Sequence, residues 1–210
     1  MAYRAPVAPH LLTDVTGGIF IACWGAFVLV WVIGAIYNSQ AHLEVRRRVS
    51  FLGPWTFGVL LLAGISLIVP HHIWQAFTVS SPVFEVAGAV VMVPTTALTL
   101  WARITLGTMW SSSPTLKTEH VLRTDGPYAW TRHPIYSGLL AMILASGLAS
   151  GGGEWLLVAL ATLVFVLARV HAEEGLMSGE FGAEYEAYRA RVPRLVPALH
   201  PRRRAKPSAP

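Results

Sequence analysis

The chain has 210 residues, 54% of them apolar and only 13% charged, with a formal net charge of +5 and a mean hydropathy of +0.52. A soluble domain carries about 25% charged residues, so the composition excludes an ordinary water-soluble globule and a disordered nucleic-acid-binding tail. A single cysteine, Cys23, excludes an internal disulfide framework and a multi-cysteine metal centre.

Five segments are apolar enough to be read as membrane helices, near 15–37, 51–70, 83–104, 134–150 and 154–172. Each approaches the roughly 20 residues that span a bilayer. The fifth reaches that length only with Glu154 at one interface and Arg169 at the other. Cys23 lies in the first segment and reads as a packed or lipid-facing thiol. Ser39-Gln40-Ala41 imitates a signal-peptide cleavage site, but the preceding apolar run is too long, and Arg46-Arg47-Arg48 comes directly after it. The segment therefore reads as a retained helix.

The loops alternate in charge. Arg46, Arg47 and Arg48 come after the first segment, and no base lies between the second and third. Arg103, Lys117, Arg123 and Arg132 precede the fourth. The turn Ser150-Gly151-Gly152-Gly153 has none, and the rest lie from Arg169 onward. Alternate loops thus hold fifteen of the sixteen bases. The positive-inside rule then puts the N-terminus outside and the C-terminus in the cytoplasm. The expected fold is all-α and integral to the membrane, with five spans.

Small residues recur every fourth position at Gly18, Ala22 and Ala26, and again at Ser137, Ala141, Ala145 and Ala149. Such stripes let helices approach closely in lipid. His71-His72, on the outer side, is not read as a metal site. Beyond the fifth segment, Phe181, Tyr185 and Tyr188 share one helical face among charges, predicting an amphipathic helix over 179–191. The Pro-rich basic stretch 198–210 reads as a disordered tail attracted to anionic lipid heads.

Chemistry concentrates in two places, both on the cytoplasmic side. One is the segment 103–133 with the start of the fourth helix, including Tyr128, Arg132, His133 and Tyr136. The other is the end of the fifth helix and the residues after it, with Glu173, Glu174, Tyr185 and Arg191. The fourth and fifth segments form a hairpin, 134–172, so the two clusters meet. Pro134 suits a first helical position, which would turn a positive helix end toward an anionic group. Arg132 supplies a planar fork suited to a carboxylate. Glu173-Glu174 opposes a helix dipole unless a cation or hydroxyl meets it.

The run GPYAWTRHPIYSG, with EEGLMSGEFGAEYEAYRARVPRLVP downstream, resembles the isoprenylcysteine carboxyl methyltransferase family, which is related to the phospholipid N-methyltransferases. Leu106-Gly107-x-x-Trp110-Ser111 and Lys117-x-x-His120 resemble bacterial members. The resemblance covers 106–197, dividing the chain into a three-helix N-terminal region (residues 1–105), a methyltransferase core and the tail. It implies a multi-pass membrane methyltransferase with a cytoplasm-facing site, expected in a bacterial inner membrane, using S-adenosylmethionine and releasing S-adenosylhomocysteine. His133, Tyr136, Gly138, Tyr128, Glu173, Glu174 and Tyr185 would line the cofactor site. Arg132 and Arg191 would orient a carboxylate. The acceptor would be lipidic or prenylated, with no metal and no nucleic acid. Three alternatives stand beside this reading: an amine N-methyltransferase, an NADPH-dependent sterol-type reductase and a non-catalytic membrane subunit. The paired glutamates weigh against the reductase.

Overall fold

The computed structural model describes residues 8–40, 45–48, 64–65, 68–111, 114–117 and 121–198. Six helices are described within these residues: α1 (Ala8–Gln40), α2 (His71–Ala76), α3 (Pro82–Leu106), α4 (Pro134–Ala149), α5 (Trp155–Phe181) and α6 (Ala183–Arg189). A short antiparallel ribbon joins β1 (Val45–Arg48) to β2 (Thr115–Lys117), pairing Arg48 with Thr115 and Val45 with Lys117. The all-helical expectation thus acquires one small strand pair. Sequence alone could not reveal it, because neither strand alternates over enough residues to show a period of two.

Among the described residues, three helical stretches are long and apolar enough to cross a membrane: Leu11–Gln40, Pro82–Met109 and Trp155–Phe181. At 1.5 Å per residue, the 16-residue α4 is about 24 Å long, short of the ~30 Å hydrocarbon layer. The span expected over 51–70 falls largely outside the described residues. Along α1, Ile21, Val28, Leu29, Val32 and Ile33 are all more than half exposed. An apolar surface of that extent marks a lipid-facing helix.

The core forms where α3 and α4 meet. Gly88, Met92, Thr96, Thr99 and Arg103 recur on one buried face of α3. On α4 the buried face carries Gly138, Met142, Ala145 and Ser146. A Cβ on Gly88 would lie 2.7 Å from the Ala145 carbonyl and 2.8 Å from the Ala149 Cβ. The two backbones therefore touch at small residues, as the fourth-segment stripe predicts. The stripe on α1 is not used this way, since Gly18 has nothing within 4 Å of where a Cβ would stand. Instead α1 packs through Phe20, Cys23, Trp24 and Phe27 against Met92, Met142 and Ala145. Trp24 Nε1 donates to Ser146 Oγ at 3.2 Å.

Turning the chain from α4 into α5 takes three consecutive glycines, Gly151, Gly152 and Gly153, with φ of 83°, 95° and 57°. Side chains rarely adopt that region. At its far end α5 continues well past 172, and Gly182 (φ 48°) breaks it. The helix expected over 179–191 is therefore split between the last turn of α5 and the short α6. Its aromatic face also turns inward: Tyr185, Tyr188 and Val192 form a buried cluster with Leu122, Met177 and Phe181 packed against it.

Candidate active site

The site assembles at the start of α4. A 3-10 turn, Gly126–Ala129, buries Tyr128, whose hydroxyl donates to the Ala102 carbonyl at 3.4 Å. Tyr188 in turn donates to the Tyr128 carbonyl at 2.7 Å, fixing α6 against this turn. Burial pushes both phenols well above their usual range, so they stay neutral donors.

Pro134 takes the first helical position, as its missing N–H favours. The helix start is not bare, however. The chain after α6 runs back across it as a strap. Arg132 N donates to the Pro193 carbonyl at 2.8 Å and His133 N to the Arg194 carbonyl at 3.2 Å. Thr131 Oγ1 donates to the Arg194 carbonyl at 2.9 Å, and Ser137 Oγ donates to that of Leu195. Ala198 N closes the strap on the Trp130 carbonyl at 2.9 Å.

The two glutamates separate in role. Glu174 is buried between two arginines: Arg132 Nε and Nη2 meet its Oε1 at 3.0 and 2.8 Å, and Arg194 Nη2 meets its Oε2 at 2.6 Å. Arg132 Nη1 donates to the carbonyls of Arg189 and Val192 at 2.8 and 3.0 Å. Arg132 therefore spends its guanidinium tying α5, α6 and the strap together. This is a different task from the substrate-aiming role read from the sequence.

Glu173, one position earlier on α5, faces a cavity instead. Its Oε1 accepts from the Tyr136 hydroxyl at 2.5 Å and from Arg169 Nε at 3.2 Å. Arg169 also donates to the Tyr136 hydroxyl and reaches the Ser111 carbonyl at 3.3 Å. His133 bridges the pair, with Nδ1 3.5 Å from Glu173 Oε2 and Nε2 3.4 Å from Glu174 Oε1. The second contact is too poorly aligned for a hydrogen bond, so Nε2 is buried without a hydrogen-bond partner among the described residues. Burial alone would lower the His133 pKa, but the two carboxylates outweigh it and hold the imidazole above its ordinary 6.5. The Tyr185 phenol, on α6 beside this group, is pushed up to about 12, by burial first and then by the Glu174 charge.

The cavity has a volume of about 530 Å³ and is lined at its polar end by His133, Tyr136, Arg169, Glu173 and Tyr185, with Tyr128 and Arg132 nearby. From there it runs to an apolar end walled by Phe27, Trp31, Trp110, Leu139 and Phe165. Volumes of roughly 300–1,000 Å³ accommodate cofactor-sized molecules.

Of the residues read from the sequence, Gly138, Glu174 and Arg191 do not line the cavity. Gly138 faces α3, where a Cβ would collide with Thr99 and stand 3.0 Å from the Thr95 carbonyl. Arg191 turns back along its own helix, its Nε donating to the Ala187 carbonyl at 2.9 Å. Sequence reasoning missed Arg194 and placed Arg169 at a membrane interface. Arg194 stands three positions beyond Arg191 in the same motif, so the signal for a strap cation was present but its register was not. Trp31 and Trp110 were not singled out for the site, and only the docking of α1 brings their rings within 6.2 Å.

These features define a helical membrane protein with a concave site lined by both charged and apolar side chains. Residues 88–179 match the Isoprenylcysteine carboxyl methyltransferase (ICMT) family, a stretch that takes in most of α3, all of α4 and nearly all of α5. The chain is 43% identical over 82 residues, 39% of this chain and 31% of the relative, to methanethiol S-methyltransferase 2 of Bradyrhizobium diazoefficiens. Protein-S-isoprenylcysteine O-methyltransferase of Schizosaccharomyces pombe is 37% identical over 82 residues, 39% of this chain and 35% of that protein. The chain thus spans about a third of the length of these curated relatives. In fold it is similar to the eukaryotic intramembrane Ras methyltransferase ICMT, with a TM-score of 0.53 and 22% identity, covering 70% of this chain and 53% of the other.

Proposed function

We propose that this chain is an integral membrane methyltransferase that uses S-adenosylmethionine and acts on a lipidic or prenylated acceptor, with its charged site toward the cytoplasm. The observation that carries this reading is the single cavity wall joining a carboxylate, an imidazole and two phenols to a ring of apolar side chains. The names of the relatives support carboxyl or thiol methylation over the amine, reductase and non-catalytic alternatives.

The residues present fit the cofactor. Glu173 lines the cavity and offers its carboxylate to an ammonium group, with the His133 ring beside it on the same wall. The Tyr136 ring and its neighbours suit a sulfonium face. When bound, S-adenosylmethionine would supply the methyl group as an electrophile, its sulfur keeping the electron pair of the broken bond so that the acceptor is methylated and S-adenosylhomocysteine is left. The protein's task is then alignment and exclusion of water. Tyr136 and Arg169 hold Glu173, while Arg132 and Arg194 hold Glu174, so that His133 is gripped between fixed carboxylates.

A carboxylate acceptor is favoured on chemical grounds. It is anionic at pH 7 and needs no base, whereas a thiol must lose a proton. The two carboxylates beside His133 favour its protonated form, which works against its acting as a base. Glu173 is already stabilised by two donors. Calorimetry in detergent should show S-adenosylmethionine binding and no NADPH binding, with labelled methyl passing to a prenylcysteine acid. A folded sample that binds no S-adenosylmethionine would sink the reading.

A further inference from the structure

Five side chains able to carry a charge near neutral pH line the cavity: Arg123, Arg132, His133, Arg169 and Glu173. Four of them are already engaged. Arg132 gives Nε and Nη2 to Glu174 and Nη1 to two backbone carbonyls. Arg169 gives Nε to Tyr136 and Glu173 and Nη2 to the Ser111 carbonyl. His133 lies between Glu173 and Glu174. Arg123 is different. It is exposed, and its side chain makes no hydrogen bond or ion pair among the described residues, not even with Asp125 two positions on.

The stretch that carries Arg123 is nonetheless fixed. Leu122 packs against the buried cluster of Tyr185, Tyr188 and Val192. Just beyond Arg123 the chain enters the 3-10 turn that buries Tyr128. Leu122, Arg123, Tyr128 and Tyr185 all line the cavity. Glu173 is within electrostatic reach of this turn, since its charge adds to burial in raising the Tyr128 pKa. The wall therefore offers a carboxylate from α5 and, at its exposed rim, a guanidinium that no neighbour has claimed. An α-amino acid group carries an ammonium and a carboxylate on one carbon, and this pair of charges complements both. Arginine is suited to the second task, because its planar fork matches a carboxylate and stays charged at any physiological pH.

We infer that Arg123 receives the α-carboxylate of S-adenosylmethionine while Glu173 takes its ammonium. The inference rests on the methyltransferase reading and adds to it a cofactor residue outside the Arg132-His133-Pro134 and Glu173-Glu174 motifs. Because Arg123 is open to water, salt screens its attraction, so it adjusts affinity without creating it. A decarboxylated cofactor, which keeps its sulfonium, ammonium and nucleoside, meets one charged partner where the intact cofactor meets two.

The test is calorimetry on the full-length protein in nanodiscs, titrated with S-adenosylmethionine and with decarboxylated S-adenosylmethionine. The intact cofactor is expected to bind about fivefold more tightly, the upper range for an ion pair open to water, and the preference should shrink as salt is raised. Arg123→Gln should abolish the preference by weakening the intact cofactor alone, leaving the decarboxylated one within twofold of wild type. Arg123→Lys should keep part of it. Glu173→Gln should weaken both ligands alike, since both carry the ammonium. Equal affinities in the wild type would overturn the inference without any variant being needed. A preference that survives Arg123→Gln would overturn it too, as would an equal loss of both ligands in that variant. A folded wild-type protein that binds neither ligand would remove the methyltransferase reading itself, and the inference with it.

Discussion

Substituting Glu174→Gln separates the two adjacent glutamates most cleanly. The Glu174 side chain is 6% exposed and its partner Arg132 7%, so the first pair is buried, whereas Arg194 is 41% exposed and can turn to water. Breaking a buried pair by removing one charge costs about 3–5 kcal/mol. Gln retains one acceptor oxygen, and Arg132 keeps its two carbonyl acceptors, so the expected loss lies near the lower bound, about 3 kcal/mol. At roughly 2–4 °C per kcal/mol for a chain of this size, the melting temperature in detergent should fall by about 6–12 °C. Cofactor affinity measured well below the melt should change less than threefold, because Glu174 does not line the cavity. An unchanged melting temperature with a tenfold or greater loss of cofactor binding would refute the structural assignment and return Glu174 to the cofactor.

Glu173→Gln should do the converse, lowering S-adenosylmethionine affinity at least tenfold in calorimetry with a smaller effect on melting. Gly138→Ala places a methyl group against Thr99, an overpacking of about 1–3 kcal/mol, and Thr99→Ala in the same chain should recover part of it; a strictly additive double mutant would contradict the close packing of α3 on α4. Arg191→Ala should shift stability by no more than about 0.5 kcal/mol and leave cofactor binding unchanged, read by melting and calorimetry. The His133 pKa is raised in the folded protein, so its contribution to stability is complete below the unfolded value of 6.5 and is lost as pH rises through the higher folded value. His133→Asn should therefore flatten the fall in melting temperature as pH rises above 6.5, and an unaltered pH profile would show that the imidazole carries no such linkage.

How much of this was legible depends on what periodicity can carry. The apolar length of α1, α3 and α5 announces them as candidate spans, and the Arg132-His133-Pro134 motif with Glu173-Glu174 marks the place where polar groups gather. Adjacent residues on a helix point about 100° apart, so the sequence cannot say which glutamate meets the cavity and which meets Arg132. That choice depends on the rotation of α5 against α4. Nor does spacing reveal that α5 continues to Phe181: Glu173, Glu174 and Glu180 look like the exit from a membrane, yet the helix ends only where Gly182 adopts φ 48°. The fate of Arg132 was hidden for a further reason. Its acceptors include the backbone carbonyls of Arg189 and Val192, and no residue type advertises a carbonyl.

The strap over the start of α4 has a consequence for how the protein is completed. The carbonyls of Pro193, Arg194 and Leu195 and the Arg194 side chain all come from residues C-terminal to every described helix. Until these residues dock on α4, the charged end of the cavity lacks its clasp. The charged end of the cavity is thus clasped only by the last of the described residues to be made. A protease cutting after Val192 would unclasp this end of the cavity while leaving α1 to α5 uncut.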